Sequence, residues 1–153
     1  MSVLIQANQL RLINLGQRAS KSTGTLAATT VPLFTIAGGR VGITAIYGYV
    51  GTAITVANSY KLVSNPTTGT TMDLCTATDL GTTDTPAGAV LSMTSPAAGI
   101  TGGTNTTVST VSLSGIVPIG IGQIESVSAG TDGEITWNVF WIPLDDGATL
   151  VAA

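Results

Sequence analysis

The side chains that could do chemistry in this 153-residue chain are few, and histidine is absent. Cys75 is the single cysteine, so the chain offers it neither a disulfide partner nor a histidine to activate it as a nucleophile. Asp145 and Asp146 are the one adjacent acidic pair, and Gly147 after them favours a turn. These patterns predict a small buried thiol, a solvated acidic turn and no catalytic residue.

Metal and cofactor sites lack their characteristic residues as well. Asp132 and Glu134 could bind a calcium ion weakly, but the regular ligand series of a dedicated calcium loop is missing. The glycine pairs match no phosphate-binding fingerprint; they are Gly38-Gly39, Gly102-Gly103 and Gly120-Ile121-Gly122. We expect no metal, no cofactor and no enzymatic activity.

The tryptophans lie in residues 134–142, the clearest strand-like run of the chain. Apolar side chains recur at every second position from Ile135 to Trp141 with polar ones between them, which predicts a strand with one buried face. Phe140 and Ile142 then make the other face apolar too. A strand that is apolar on both faces needs cover on both, from a second sheet or from another subunit.

Residues 40–50 form a second strand-like run, and they predict where the tryptophans pack. Gly42 and Gly48 fall on one face of this predicted strand and leave room for a large side chain. We expect Trp137 or Trp141 to fill that space, so the two strands should lie side by side in one core. A core position is favoured over an exposed aromatic platform for a sugar or a peptide.

The remaining elements give the fold class. From residue 25 onward, short β-branched runs alternate with Gly, Pro, Asn and Asp, which predicts an all-β, antiparallel β-sandwich of jelly-roll-like type over residues 25–153. Pro32 predicts an edge position or a bend. Residues 129–133 are typical of a hairpin turn. Residues 1–24 are expected to form an extended N-terminal arm, helix or strand, with a linker or exposed loop over 16–24.

Charge and hydropathy indicate assembly. Charged residues are 8% of the chain and hydrophobic ones 44%, which disfavours disorder and predicts that other subunits cover much of the surface. All five basic residues lie within the first 61 positions and all eight acidic ones follow. Either the fold mixes these charges, or a basic arm reaches an acidic surface on a neighbour. Three scattered cations in the arm are too few to predict nucleic-acid binding, and neither a secretion signal nor a membrane span is expected.

Four segments carry a resemblance to a known group of proteins: Leu33–Val50, Lys61–Cys75, Gly133–Trp137 and Ile142–Gly147. In composition and order they resemble small virion proteins of tailed bacteriophages. The resemblance implies a head decoration, or cement, protein: a small β domain, usually a homotrimer, that binds the major capsid protein at the capsid surface after synthesis in the host cytoplasm. No catalytic residues come with it.

Two other classes stay open. A phage tail, baseplate or fibre component would share the Gly- and Thr-rich β character, although fibres usually show repeats, and none is evident. A carbohydrate-binding β-sandwich needs exposed aromatic residues, which at 5% are scarce.

Contacts with a neighbouring subunit or with the capsid are expected from the arm, from the doubly apolar end of residues 134–142 and from the C-terminal tail. The predicted contact residues are Leu4, Leu10, Arg11, Leu12, Arg18, Phe140, Trp141, Ile142 and Leu150.

Overall fold

The structure is a computed structural model that describes residues 6–93, 99–102 and 113–153. The predicted contact residue Leu4 lies outside these ranges. Residues 108–113, whose β-branched pattern predicts a strand, lie mostly outside them too. The elements in chain order are helix α1 (Ala7–Leu15) and strands β1 (Gln17–Thr25), β2 (Thr30–Ala37), β3 (Val41–Thr52), β4 (Ser59–Pro66), β5 (Met72–Asp73), β6 (Thr78–Asp79), β7 (Val90–Ser92), β8 (Thr101–Gly102), β9 (Val117–Ile119), β10 (Gly122–Ser128), β11 (Glu134–Pro143) and β12 (Thr149–Ala152).

The strands form two antiparallel sheets that enclose one core. The first sheet has the order β1-β11-β3-β7-β8, with β9 also pairing β3. The second has the order β12-β2-β10-β4-β5, with β6 also pairing β4. The prediction of an all-β antiparallel sandwich is therefore confirmed, whereas its jelly-roll likeness stays a prediction.

Strands β3 and β11 lie side by side, as the sequence predicts. Trp137 is directly opposite Gly48. A Cβ atom at Gly48 would lie 3.2 Å from the Trp137 indole and 2.9 Å from Cγ2 of Ile135. The missing side chain of Gly48 is thus the space that the indole occupies, and the predicted packing of a tryptophan against a glycine is confirmed.

The same indole ties the two sheets together. Its Nε1 donates a hydrogen bond of 2.7 Å to the hydroxyl of Tyr60 on β4, and the two fully buried rings are nearly parallel, with an interplanar angle of 9°. Burial raises the pKa of Tyr60 well above its usual value. Cys75 is buried nearby in the core, accepts a hydrogen bond from the backbone N–H of Leu62, and has its pKa raised by burial. The prediction of a small buried thiol is confirmed.

A β-bulge in β3 changes which face its residues occupy. Ala45 pairs with Phe140 and Ile43 with Trp141, so Thr44 is an extra residue in β3. Gly48 therefore faces the core, whereas Gly42 faces outward. The prediction that both glycines share one face is wrong, because a bulge shifts the alternation by one residue.

Two other local predictions are wrong and one is confirmed. Residues 17–25 form the edge strand β1, paired with β11, rather than a linker or loop. Residues 129–133 carry the chain from β10 of the second sheet to β11 of the first, so they are not a hairpin turn. Beside Pro32, the pairing of β2 with β10 skips Leu33, which is the bend that a proline in a strand predicts.

Candidate interaction surface

Helix α1 begins and ends at defined contacts. At its start the backbone N–H of Gln6 donates to Oε1 of Gln9 at 3.0 Å. At its end Gly16, with φ +84°, donates its N–H to the carbonyl of Leu12. A Cβ atom at Gly16 would lie 2.2 Å from the carbonyl oxygen of Trp141, so only glycine fits where the chain turns from α1 into β1.

The side chains of α1 have almost no cover. None of its nine residues is buried, and its four large apolar side chains are exposed from 37% at Leu15 to 72% at Ile13; the other two are Leu10 and Leu12. A helix this short is not stable through backbone propensity alone, and most helices in proteins gain stability by packing an apolar face. Helix α1 therefore forms an exposed apolar surface.

A second exposed apolar surface lies at the base of α1 on the outer face of the first sheet. Ile116, Ile142 and Leu144 converge over Gly42, whose added Cβ atom would lie 2.6, 3.4 and 3.3 Å from them. Ile116 is 54% exposed and Leu144 44%. Ile142 also adjoins Gly16, with its Cγ2 2.7 Å from the position of an added Cβ. We call these three residues the Gly42 patch.

The charged residues, all of which lie in the described part of the chain, are mostly paired within it. Arg40 and Lys61 form ion pairs with Asp145 and Asp73 at 2.7 and 2.8 Å, so the fold brings together charges that the sequence separates. Arg18 donates to Asn138 and Lys21 to the main-chain oxygen of Ala153. Among described residues Arg11 is the one cation without such a partner; Asp84 and Asp146 are the acidic residues without one.

Three aspartates, Asp79, Asp132 and Asp145, hold loops in place. Asp79 accepts hydrogen bonds from the hydroxyl of Thr82 and from the N–H of Gly81, which hold its pKa well below the usual range. Asp132 accepts from both the hydroxyl and the N–H of Thr55, with the same effect on its pKa. Asp145 accepts from the side chain and the N–H of Arg40, so the predicted acidic turn is clamped by an arginine.

No group of three or more metal-ligating side chains is found in residues 6–93, 99–102 and 113–153. Within the same ranges, no helix has the length and apolar character needed to cross a bilayer.

The predicted contact residues divide into exposed and buried ones. Leu10, Arg11, Leu12 and Arg18 are exposed and Ile142 is partly so; their role in a contact stays a prediction. Phe140, Trp141 and Leu150 are buried within the single chain, so predicting them as contacts is wrong. Ile13, Leu15, Ile116 and Leu144 are exposed apolar residues of this surface that sequence reasoning missed, because alternation alone does not reveal cover.

The reasons for these burials are local. Trp141 faces the core. Phe140 faces outward, but its ring stacks on Tyr47 with centroids 6.2 Å apart. Leu150 belongs to β12, which pairs with β2 of its own chain instead of reaching a neighbour.

Comparison with known proteins adds no relationship: no family model matches the chain, and neither curated proteins nor solved structures give a significant match.

Proposed function

We propose that this protein is a head decoration protein of a tailed bacteriophage. It assembles as a homotrimer, binds the major capsid protein on the outside of the assembled head, and reinforces the contacts between capsomers. It is made in the host cytoplasm and acts at the surface of the virion. It performs no catalysis, so its contribution is mechanical.

The observation that carries the proposal is helix α1. It presents four large apolar side chains without burying one residue against its own subunit. Leaving such side chains in water is unfavourable by about 1.5–3 kcal/mol for each one that a partner could bury fully. A protein whose task is to hold other chains together gains from this arrangement, because the helix becomes covered when assembly occurs.

The low charge of the chain supports the same class of function. With 8% charged residues, the surface has little electrostatic repulsion to keep copies apart. Many weak contacts repeated over a lattice add up to a large stabilisation, since each bound subunit raises the effective concentration of the next contact. The resemblance to tailed-phage virion proteins, over most of residues 30–147, favours the phage head as the particular assembly.

Electron microscopy of heads with and without the protein tests the proposal. We expect the complete chain to add regular knobs at fixed positions on the capsid surface and to raise the temperature at which heads release DNA. The matched variant lacks residues 1–15, which removes α1 but keeps Gly16 and β1. We expect it to fold and to occupy few of these positions.

The location of the density decides between classes of virion protein. Density on the tail or the baseplate, with bare heads, would contradict the proposal and favour a tail component. Full capsid occupancy by the variant without residues 1–15 would show that α1 is not the contact.

A further inference from the structure

We infer that helix α1 of each subunit packs on the Gly42 patch of a neighbouring copy, with Arg11 facing Asp146 of that copy. The inference rests on the proposal that the protein acts as an oligomer, and it names the surface through which the copies meet. Each copy then supplies one helix and receives one.

Neither surface is covered by the part of the chain that the structure describes. No residue of α1 is buried, although its C-terminal end adjoins Ile142 of the patch. The hydroxyl of Thr44 donates to the carbonyl of Leu15, which fixes where the helix leaves the sheet. Ile116 and Leu144 nevertheless stay about half exposed, so the subunit's own helix does not cover the patch.

Charge selects a second copy as the occupant. Arg11 is the cation without an intrachain partner among the described residues, and Asp146 is one of two such acidic residues. Asp146 is exposed and follows Leu144 of the patch by two residues, so the chain holds the two Cα atoms within about 7 Å of each other. An Arg11–Asp146 pair between copies would complete the set of ion pairs that Arg40 and Lys61 make within the chain.

The geometry of α1 groups the required side chains. At 3.6 residues per turn, Arg11, Leu12 and Leu15 fall within an arc of about 100° of the helix surface. That face offers two leucines to an aliphatic patch and one guanidinium to its acidic rim. Leu10 and Ile13 fall on the opposite face. A helix given to one neighbour and a patch offered to another is a heterologous contact, which a trimer closes into a ring.

Self-association of the purified full-length chain tests the inference, by light scattering during gel filtration over a range of concentrations. We expect the mass of a trimer, which is three times the 15.3 kDa of one chain. Leu12→Ser should weaken the association constant by about tenfold or more, since it removes a buried leucine from each contact. Ile13→Ser, on the opposite face of α1, is the matched control and should change it by less than about threefold.

Charge reversal identifies the pair. Arg11→Glu and Asp146→Lys should each weaken association by about threefold to tenfold, because each replaces the attraction of an exposed ion pair with a repulsion of similar size. The double variant should restore association to within about twofold of the unmodified chain. Asp84→Lys is the control. Asp84 adjoins Thr85, which bridges to Ile54 near the start of β11, so it lies roughly 30 Å along the strand from Asp146.

Two outcomes would overturn the inference. One is a double variant that associates no better than Arg11→Glu alone. The other is a monomeric chain at about 100 μM, the scale at which weak contacts become visible. If such a monomer still decorates heads and loses occupancy without residues 1–15, the helix binds the capsid protein instead, and the proposed function survives while this contact does not.

Discussion

Two glycines six positions apart on β3 meet large apolar side chains on opposite faces of the first sheet. At Gly48 the neighbours are Ile135 and Trp137, which are fully buried between the sheets. At Gly42 they are Ile116, Ile142 and Leu144, which remain partly or largely exposed. The bulge at Thr44 separates the two environments. One strand thus carries both the closed interior of the subunit and an open apolar surface.

This difference separates the residues that stabilise the fold from those that the proposed assembly would use. The Gly48 side is completed within the chain, including the Trp137–Tyr60 hydrogen bond between sheets. The Gly42 side and α1 leave apolar area in water, which the subunit tolerates because its interior is already complete. Changes on the first side should unfold the protein, whereas changes on the second should leave folding intact and alter association.

On the Gly48 side of β3, which we call the closed side, the substitution with the largest expected effect is Trp137→Ala. It removes the largest fully buried side chain and leaves a cavity, so we expect a loss of about 3–5 kcal/mol in the free energy of unfolding. Urea denaturation followed by far-UV circular dichroism measures this loss. Tyr60→Phe keeps the volume but leaves the indole N–H without its acceptor and should cost less, about 1–3 kcal/mol. Equal losses for the two variants would mean that the cavity contributes little.

The paired substitutions Gly48→Ala and Gly42→Ala compare the two sides directly. The new methyl group at Gly48 would meet a rigid buried indole and Ile135, so we expect a loss of about 1–3 kcal/mol in unfolding free energy. At Gly42 the nearest atom is Cγ2 of the exposed Ile116, which can move away, so the loss should stay below about 1 kcal/mol. Thermal denaturation of both proteins under identical conditions measures the contrast; the reverse order would contradict it.

Acid should weaken the hydrogen bonds through which three aspartates hold loops outside the core. Hydrogen bonds lower the pKa values of Asp79, Asp132 and Asp145 in the folded state. As the pH falls below about 4–5, the aspartates of the unfolded chain bind protons before those of the folded chain, since their pKa in the unfolded chain is about 3.9. The stabilisation is therefore fully present above this range and is lost toward the lower pKa values of the folded state.

Denaturant midpoints measured between pH 7 and pH 2 test this pH dependence. Asp145→Asn should flatten part of the acid-dependent decline. A profile that Asp145→Asn does not alter would mean that the Arg40 clamp contributes nothing to stability.

The smallest effect on folding is expected in α1. Leu12→Ser and Ile13→Ser alter side chains that are more than half exposed in the subunit, so the free energy of unfolding of a dissociated subunit should change by less than about 0.5 kcal/mol. Hydrogen exchange of the core strands, followed at a protein concentration low enough to dissociate the subunits, measures this change in the free energy of unfolding. A loss above about 2 kcal/mol would show that α1 belongs to the closed side after all.

The closed side could be predicted from sequence because it depends on alternation. The period-two pattern of β11 identified its inward residues, and the glycines of residues 40–50 indicated its neighbour. The bulge at Thr44 could not be predicted, since one extra residue leaves no compositional trace. Strand β1 was missed for a related reason. It is an edge strand of mainly polar residues, and Ala19 is its one residue packed against the core cluster.

The open side, which consists of α1 and the Gly42 patch, was less predictable from the sequence. The apolar residues of α1 surround the helix, so no single period marks it as helix or strand. Alternation places Phe140 and Trp141 on opposite faces of β11, and Trp141 does face the core, but alternation does not reveal that Tyr47 stacks on the outward ring of Phe140. Whether an apolar side chain is buried depends on which other side chains pack over it. Those side chains come from residues distant in the sequence.

The position of β11 between β1 and β3 has a consequence for synthesis. Both of its partners are made about a hundred residues earlier, since Gln17 pairs with Trp141 and Val50 with Ile135. During translation β1 and β3 therefore emerge before β11, and the edges that pair with β11 stay open until it leaves the ribosome. The nascent chain is open to aggregation during that interval, and a chaperone that shields these two strands would raise the yield of folded protein.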